Sequence, residues 1–316
     1  MLYDKDGNVV CSDIPTETFT DEACTSAFMD YMAQKCSLFG MSGTYYANPS
    51  GLTADSYITP QDLLKLGLVI SSVPDALSIW GTSNRSFSIG GTHARTLSVE
   101  NNVIAGVGSH LDSNGYKFLG GKGGSYYNNN YTNWWRAGVD IVDIDGVSVV
   151  LALLAKGKTS YDNLYLSTKE LCDMVKASLE GRTPTSGTNL TALVSGGGGY
   201  VACVVPNTPG AYVNLVTPAE LLTREHTISA STTISSLPAS TSKAMTMLCA
   251  LDYFSDTHEI ITVKTVDIVG GSGSTFYDGD TMSFWDAVRI MMMESSNTLA
   301  NTIARETGRK ILSYAV

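Results

Sequence analysis

The chain has 316 residues, a formal net charge of −10, an isoelectric point near 4.8 and 43% hydrophobic residues. This length suits one α/β domain with a helical insertion, and the apolar content is enough for a sizeable core. The acidic balance argues against nucleic-acid binding, which needs a basic surface. Because no apolar run reaches roughly 18 residues, we predict no transmembrane segment.

Helices are predicted in the first quarter of the chain. Apolar residues at helical spacing indicate one helix over residues 20–37. Thr59 followed by Pro60 is typical of an N-cap and first helical turn, and it indicates a second helix that ends at about Ser71.

Strands are predicted in the middle of the chain. Asp145-Gly146 between two alternating segments predicts a two-residue hairpin within residues 139–154. Residues 200–205 and 211–215 form a predicted strand pair, and residues 259–266 a β-branched strand.

Ser167 and Glu170 have the spacing of a capping box, which predicts a helix from about residue 168. Helices and strands in this order predict one sheet flanked by helices, together with a helical lobe. We expect the active site in the cleft between the sheet and the lobe.

Ser240 and Lys243 carry the strongest chemical signal, because no other lysine in the chain has a serine three places before it. On a helix this spacing puts the hydroxyl and the amine on one face. Such a pair is a nucleophile with a base beside it.

Two further elements accompany this pair. Ser295-Ser296-Asn297 lies in a predicted break between two helices, and Lys122 lies in the glycine-rich segment 120–125. Motif sets of this kind, with Ser-x-x-Lys, Ser-x-Asn and Lys-Thr-Gly elements, occur in penicillin-binding proteins and class A β-lactamases. Here the first two elements are intact and the third is altered.

The chain resembles the serine D-alanyl-D-alanine carboxypeptidases of the penicillin-binding superfamily. The resemblance implies a β-lactamase/transpeptidase-like three-layer sandwich, with an antiparallel sheet flanked by helices, plus a helical lobe. The similar segments are residues 237–245, residues 282–300, residues 39–64, and residues 118–125 with the hairpin 139–154. In the family the last two follow the first two, so we expect a circular permutation, natural or engineered. A fragment of two tandem copies would give the same order.

The permutation implies one catalytic domain over the whole chain, with parts from both ends of the numbering. Residues 1–110 and 250–316 are expected to form mainly the helical lobe and cleft loops. Residues 111–182 and 200–249 are expected to form mainly the α/β sandwich. Residues 183–199 are interpreted as the linker that joins the usual ends, and its glycine-rich run 195–199 is interpreted as flexible.

The resemblance assigns roles to the motif residues. Ser240 would attack a terminal D-alanyl carbonyl with Lys243 as the base, and Ser295 would pass a proton to the leaving amine. Asn297 would bind the substrate amide and position Lys243. Lys122 would bind the substrate carboxylate and, with burial and the helix N-terminus, lower the pKa of Lys243.

The altered third element changes the expected carboxylate site. Gly123 stands where the family has a hydroxyl residue, which removes one hydrogen bond to the carboxylate unless Ser125 replaces it. The backbone N–H groups of Ser240 and Ser125 would form the oxyanion hole, with Gly124 permitting close approach. Glu294 is interpreted as a helix-end residue, so no glutamate is expected as the acylation base.

Cysteine and histidine spacing argues against metal binding, and no cofactor is expected. Cys172 and Cys249 lie on apolar helix faces and are predicted to be buried thiols, whereas Cys11 pairs with Cys24 or Cys36 if a disulfide forms. The four histidines are scattered, which makes a Ser-His-Asp mechanism the weaker alternative.

The expected function is that of a serine D,D-carboxypeptidase that trims peptidoglycan stem peptides and binds β-lactams. A β-lactamase or esterase on the same fold is one alternative, and a non-catalytic penicillin-binding sensor module is another. The expected location is extracytoplasmic in a bacterium, although the first residues lack a signal-peptide pattern.

Overall fold

The computed structural model describes residues 2–3, 9–11, 19–127, 134–157, 161–205, 216–254 and 258–314. Only the backbone is described for residues 2–3, 9–11 and 161–163. The predicted strand over residues 211–215 and the side chain of Cys11 lie outside this description.

The strands of the described residues are β1 (Leu2–Tyr3), β2 (Val9–Cys11), β3 (Arg85–Ile89), β4 (Arg95–Val99), β5 (Lys117–Tyr127), β6 (Trp134–Ile144), β7 (Val147–Gly157), β8 (Gly199–Val204), β9 (Ile228–Ala230), β10 (Ile260–Thr262) and β11 (Thr281–Ser283). β5 to β9 form one antiparallel sheet in the order β5-β6-β7-β8-β9, which leaves β5 at an edge. The other strands pair as β1–β2, β3–β4 and β10–β11.

The α-helices of the described residues are α1 (Asp21–Leu38), α2 (Pro60–Ser71), α3 (Pro74–Trp80), α4 (Ser109–Ser113), α5 (Tyr161–Leu179), α6 (Thr188–Ser195), α7 (Pro218–Leu221), α8 (Ser242–Leu251), α9 (Phe284–Glu294) and α10 (Asn297–Tyr314). The predicted helices over 20–37 and from Pro60 to Ser71 are confirmed, and Thr59 caps α2 by accepting from the Asp62 N–H.

The predicted hairpin is confirmed. Asp145 and Gly146 connect β6 to β7 with φ angles of +53° and +86°, and this turn type needs a positive φ at both positions. Alternate residues of the two strands then face opposite sides of the sheet. Val139 and Ile141 belong to one core, whereas Val142 packs in the other.

These two cores define the layers of the sandwich. One lies between the sheet and α2, and the other lies between the sheet and the pair α5–α6. An antiparallel sheet covered by helices on both faces, with a lobe that contains α1, α9 and α10, is the three-layer architecture that the sequence predicts. The fold class is therefore confirmed.

The position of α2 corrects the expected division of the chain. The predicted boundary at residue 110 puts this helix in the helical lobe, but α2 packs on β7 and β8 of the sheet. Gly67 makes this possible, because a Cβ there would lie 2.5 Å from Val150 Cγ1 and 2.6 Å from Val139 Cγ2. One helical layer of the sandwich, α2, therefore comes from residues 1–110.

The linker over residues 183–199 contains a helix that the sequence does not predict, because residues 188–195 form α6. Leu190 and Leu193 of this helix are buried against the sheet, so burial of apolar surface orders the segment. Glu170 caps it by accepting from the Asn189 and Leu190 N–H groups at 3.1 and 2.8 Å. The predicted capping box of Ser167 and Glu170 is wrong. Both residues lie inside α5, which begins at Tyr161, and the Glu170 carboxylate caps α6 instead.

Two smaller predictions also need correction. The predicted strand over 259–266 is only β10, and residues 265–267 form a short 3₁₀ turn. Cys24 and Cys36 are free buried thiols, so neither forms the considered disulfide with Cys11. Cys172 and Cys249 are buried thiols as predicted.

Among the described residues, no single helix combines the length and apolarity needed to cross a membrane, although the sharply bent pair α2–α3 passes that test by composition and length.

Gly67→Ala tests the close packing of α2 on the sheet. We expect a loss of about 1–2 kcal/mol in the free energy of unfolding, because overpacking outweighs the gain in helix propensity. The control is Gly270→Ala, where an added Cβ meets nothing within 4 Å. Urea denaturation of both variants measures the difference, and equal stabilities would contradict the packing.

Candidate active site

Ser240 lies in a 3₁₀ turn over residues 239–241 that leads directly into α8. The preceding Ala239 has a φ of +45°, an uncommon value for a residue with a side chain. The Ser242 hydroxyl donates to the Ala239 carbonyl at 2.9 Å and holds this turn on the helix. As a result the Ser240 side chain stands at the edge of the sheet, half-buried.

Lys243 lies in the first turn of α8 with 0% of its surface exposed. Its Nζ is 2.9 Å from Ser240 Oγ, 2.7 Å from the Ser50 carbonyl oxygen and 2.8 Å from Asn297 Oδ1. The last two oxygens only accept hydrogen bonds, so they take both N–H groups of a neutral amine. The lone pair of that amine then faces the Ser240 hydroxyl.

The charge state of Lys243 follows from its surroundings. Burial lowers the pKa of this amine well below its ordinary value, and the nearby cation Lys122 lowers it further. A neutral Lys243 accepts a proton near neutral pH, which an ordinary lysine cannot do. The Ser240 hydroxyl and the Lys243 amine are therefore in contact, in an arrangement that suits a nucleophile and its base.

The Ser50 carbonyl reaches Lys243 because its loop is fixed on α8. Asn48 Oδ1 accepts from the N–H groups of Ser50 and Gly51, and Thr246 Oγ1 donates to the Pro49 carbonyl at 2.7 Å. Gly51 has a φ of +76°, and a Cβ there would lie 1.8 Å from the Ala239 carbonyl oxygen. Only glycine fits this contact without a backbone shift.

Ser295 and Asn297 lie at the break between α9 and α10. Ser295 ends α9 in the left-handed conformation, with φ of +66°, and Asn297 begins α10. The Asn297 amide nitrogen donates to the Gly270 carbonyl at 3.1 Å, which turns its Oδ1 toward Lys243. The structure therefore supports a positioning contact between Asn297 and Lys243.

Lys122 is on β5, and only 2% of its surface is exposed. Its Nζ donates to the Gly123 carbonyl at 2.7 Å and is 3.0 Å from Ser295 Oγ. Burial lowers the pKa of this amine to about 7. The strand approaches the nucleophile closely, because a Cβ on Gly124 would lie 2.8 Å from the Ser240 backbone nitrogen.

One cavity of about 520 Å³ joins these groups. Its lining includes Ser240, Lys122, Ser295, Gly123, Gly124 and Ser125, so all the motif residues except the buried Lys243 and Asn297 face it. The structure therefore brings together segments from both ends of the numbering, as the sequence predicts.

Sequence reasoning missed the loop at residues 270–274. Ser274 donates from its N–H and its hydroxyl to the Glu294 carboxylate at 2.8 and 2.7 Å, and Ser272 lines the cavity. Glu294 therefore fixes this loop beside the Ser-x-Asn element. The Gly-Gly-Ser-Gly run at 270–273 is the sequence signal that indicates a close approach of backbones here.

Sequence reasoning also missed Asp140, an acidic residue in an otherwise apolar part of β6. It lines the cavity, and only 3% of its surface is exposed. Burial raises the pKa of this carboxyl to about 7. The signal in the sequence is a single aspartate between two core residues of a predicted strand.

Residues 206–314 match the model of the β-lactamase enzyme family. No curated protein and no solved structure matches the chain. The matched segment contains Ser240, Lys243, Ser295 and Asn297. The match supports a place in the superfamily of serine β-lactamases and penicillin-binding proteins, and with it a serine hydrolase that interacts with β-lactams.

Within the part of the chain that the structure describes, no three His, Cys, Asp or Glu side chains are grouped closely enough to hold a metal ion.

Asp140→Asn tests the buried carboxyl. Its pKa is higher in the folded chain than in the unfolded chain, where it is about 3.9, so the carboxyl costs stability as the pH rises from about 4 through 7. We expect the variant to gain about 2–4 kcal/mol in the free energy of unfolding at pH 8 and little at pH 4.

Urea denaturation of Asp140→Asn at both pH values measures this difference. The control is Asp30→Asn, at an exposed position on α1. A gain in stability that is the same at pH 4 and pH 8 would show that the Asp140 carboxyl is not held protonated.

Proposed function

We propose that the protein is a serine D,D-carboxypeptidase that removes the terminal D-Ala of peptidoglycan stem peptides through an acyl-enzyme, and that β-lactams acylate the same serine. The observation that carries the proposal is the contact of Ser240 with a fully buried Lys243. A neutral amine in contact with a hydroxyl is the base that a serine nucleophile needs.

In the first step Lys243 takes the proton of Ser240 while Ser240 Oγ attacks the substrate carbonyl. The backbone N–H groups of Ser240 and Ser125 are the proposed oxyanion hole. In the second step the carbon–nitrogen bond breaks, and Ser295 passes a proton to the leaving amine. Water then hydrolyses the ester to regenerate Ser240.

Lys122 is the proposed anchor for the substrate carboxylate. It is buried at the cavity wall beside Ser295, where a charge interaction is stronger than in water. Gly123 gives no hydroxyl to assist it. We expect this departure to affect carboxylate recognition more than acylation.

The order of the segments and the place of action are part of the proposal. The α6 segment joins α5 to β8, which is the connection that a circular permutation of the family order requires. Tandem copies remain an alternative source of the same order. A peptidoglycan substrate would put the enzyme outside the cytoplasm of a bacterium.

Two other functions follow from the same site. A β-lactamase or esterase is favoured by the family match, and it differs from a carboxypeptidase by rapid deacylation. A non-catalytic sensor module is favoured by Gly123, and it differs by the absence of peptide turnover.

Labelling with a fluorescent penicillin tests the nucleophile and its base. We expect stoichiometric labelling of the wild type, no labelling of Ser240→Ala, and at least an approximately hundredfold slower labelling of Lys243→Ala, because the base is lost. The control is Lys310→Ala, a surface lysine that pairs with Glu259. Hydrolysis of a D-Ala-D-Ala peptide by the wild type then separates a carboxypeptidase from a sensor module.

Two outcomes would contradict the proposal. Failure of the folded wild type to label would exclude both enzymatic functions. Labelling of Lys243→Ala at the wild-type rate would refute Lys243 as the base, even if Ser240 is the nucleophile.

A further inference from the structure

The cavity extends from the catalytic groups to a part of the sheet where glycines leave space that side chains would otherwise fill. Gly123 of β5 and Gly138 of β6 are partners across the strand pair. A Cβ on Gly123 would meet nothing within 4 Å, and one on Gly138 would lie 3.7 Å from Asp140 Oδ2. The two glycines therefore open a path from the catalytic serine to the Asp140 carboxylate.

Asp140 occupies a space that the backbone keeps free for it. A Cβ on Gly121, the partner of Asp140 on β5, would lie 2.2 Å from Asp140 Oδ1. Among the described residues, no hydrogen bond or ion pair involves this carboxylate, although it is 97% buried and lines the cavity. A buried carboxyl without a partner costs stability, and a ligand that supplies a cationic partner would offset that cost.

The walls beside Asp140 are mainly apolar. Val103 and Val107 line the cavity together with Leu164 of α5, on the face of the sheet that carries Asp140, and Tyr165 and Thr168 of α5 also line it. Apolar walls that end at one carboxylate suit a ligand with an aliphatic stem and a cationic end. We call this part of the cavity, lined by Val103, Val107 and Leu164 and ended by Asp140, the acid-ended cavity.

We propose that the acid-ended cavity binds a basic side chain on the residue that leaves after Ser240 attacks, with its ammonium paired to the Asp140 carboxylate. This inference rests on the proposed function. Lys122, the proposed carboxylate anchor, lines the same cavity as Gly123 and Asp140, so we assign the acid-ended cavity to the leaving-group side. The methyl group of D-Ala carries no charge that could pair with Asp140.

The further substrate class that follows, beside peptides that end in D-Ala-D-Ala, is a peptide with D-Ala before the scissile bond and a basic D-amino acid after it. An uncharged side chain of the same length would fill the apolar part but leave Asp140 unpaired. Sites built for a polar partner discriminate strongly against analogues that lack it. The preference therefore depends on the ammonium group and not on length alone.

Binding to Ser240→Ala tests the inference without turnover. Two probes are compared by NMR titration, N-acyl-D-Ala-D-Lys and N-acyl-D-Ala-D-norleucine, which differ at the end of one side chain. We expect the lysine peptide to bind at least about tenfold more tightly, and we expect Ser240→Ala/Asp140→Asn to bind both equally. Asparagine keeps the shape of the aspartate, so folding is retained.

A second variant tests the path to Asp140. In Ser240→Ala/Gly123→Val the added side chain enters open space and narrows the opening, so both long peptides are expected to lose affinity relative to N-acyl-D-Ala-D-Ala. Gly123→Ala in the same background is the matched smaller change.

The outcomes separate this inference from the proposed function. Equal binding of the two long peptides to Ser240→Ala, or no binding of either, would overturn the inference, whatever the wild type hydrolyses. A preference for lysine that survives Asp140→Asn would also overturn it. If penicillin does not label the wild type, the proposed function fails, while the lysine preference still decides the inference.

Discussion

The burial of the Lys243 amine is the constraint on which the site depends. Moving a cationic amine out of water is costly, and the protein avoids that cost when the amine is neutral. Two acceptors then fix the N–H groups and leave the lone pair for Ser240. The same burial that disfavours the charge therefore suits Lys243 to the proposed role of base.

This arrangement requires three segments that are distant in the sequence to meet at Lys243 Nζ. Ser50 comes from the loop before α2, Ser240 from the turn before α8, and Asn297 from the start of α10. Gly51 lets the first segment contact the second, and Gly124 lets the edge strand approach the nucleophile. An error in any of these contacts would leave Lys243 with an unsatisfied donor or would expose it to water.

The second buried amine and the buried carboxyl extend this pattern. Lys122 lies at the cavity wall between the Gly123 carbonyl and the Ser295 hydroxyl, and Asp140 lies further along the same cavity. A cation and an acid at separate points of one cavity suit a ligand with a carboxylate and an ammonium group. The two proposals thus combine a reaction centre with two places where opposite charges are recognised.

The sequence predicts the sheet, its central hairpin and the motif residues, because these depend on short patterns of spacing and turn chemistry. It does not predict α6, whose glycine-rich end suggests a linker although Leu190 and Leu193 fasten it to the sheet. Glu170 lies three residues after Ser167, which is the spacing of a capping box, but its carboxylate caps α6. Asp140 is missed because local pattern does not show which strand face opens into a cavity.

The most direct test of the account is the titration of Lys243 itself. NMR of lysine labelled with ¹³C at Cε, assigned by comparison with Lys243→Ala, follows the charge of this amine with pH. The account predicts a neutral amine at pH 7, with a midpoint well below that of the exposed lysines. A Lys243 signal that stays in the charged form up to about pH 10 would contradict it.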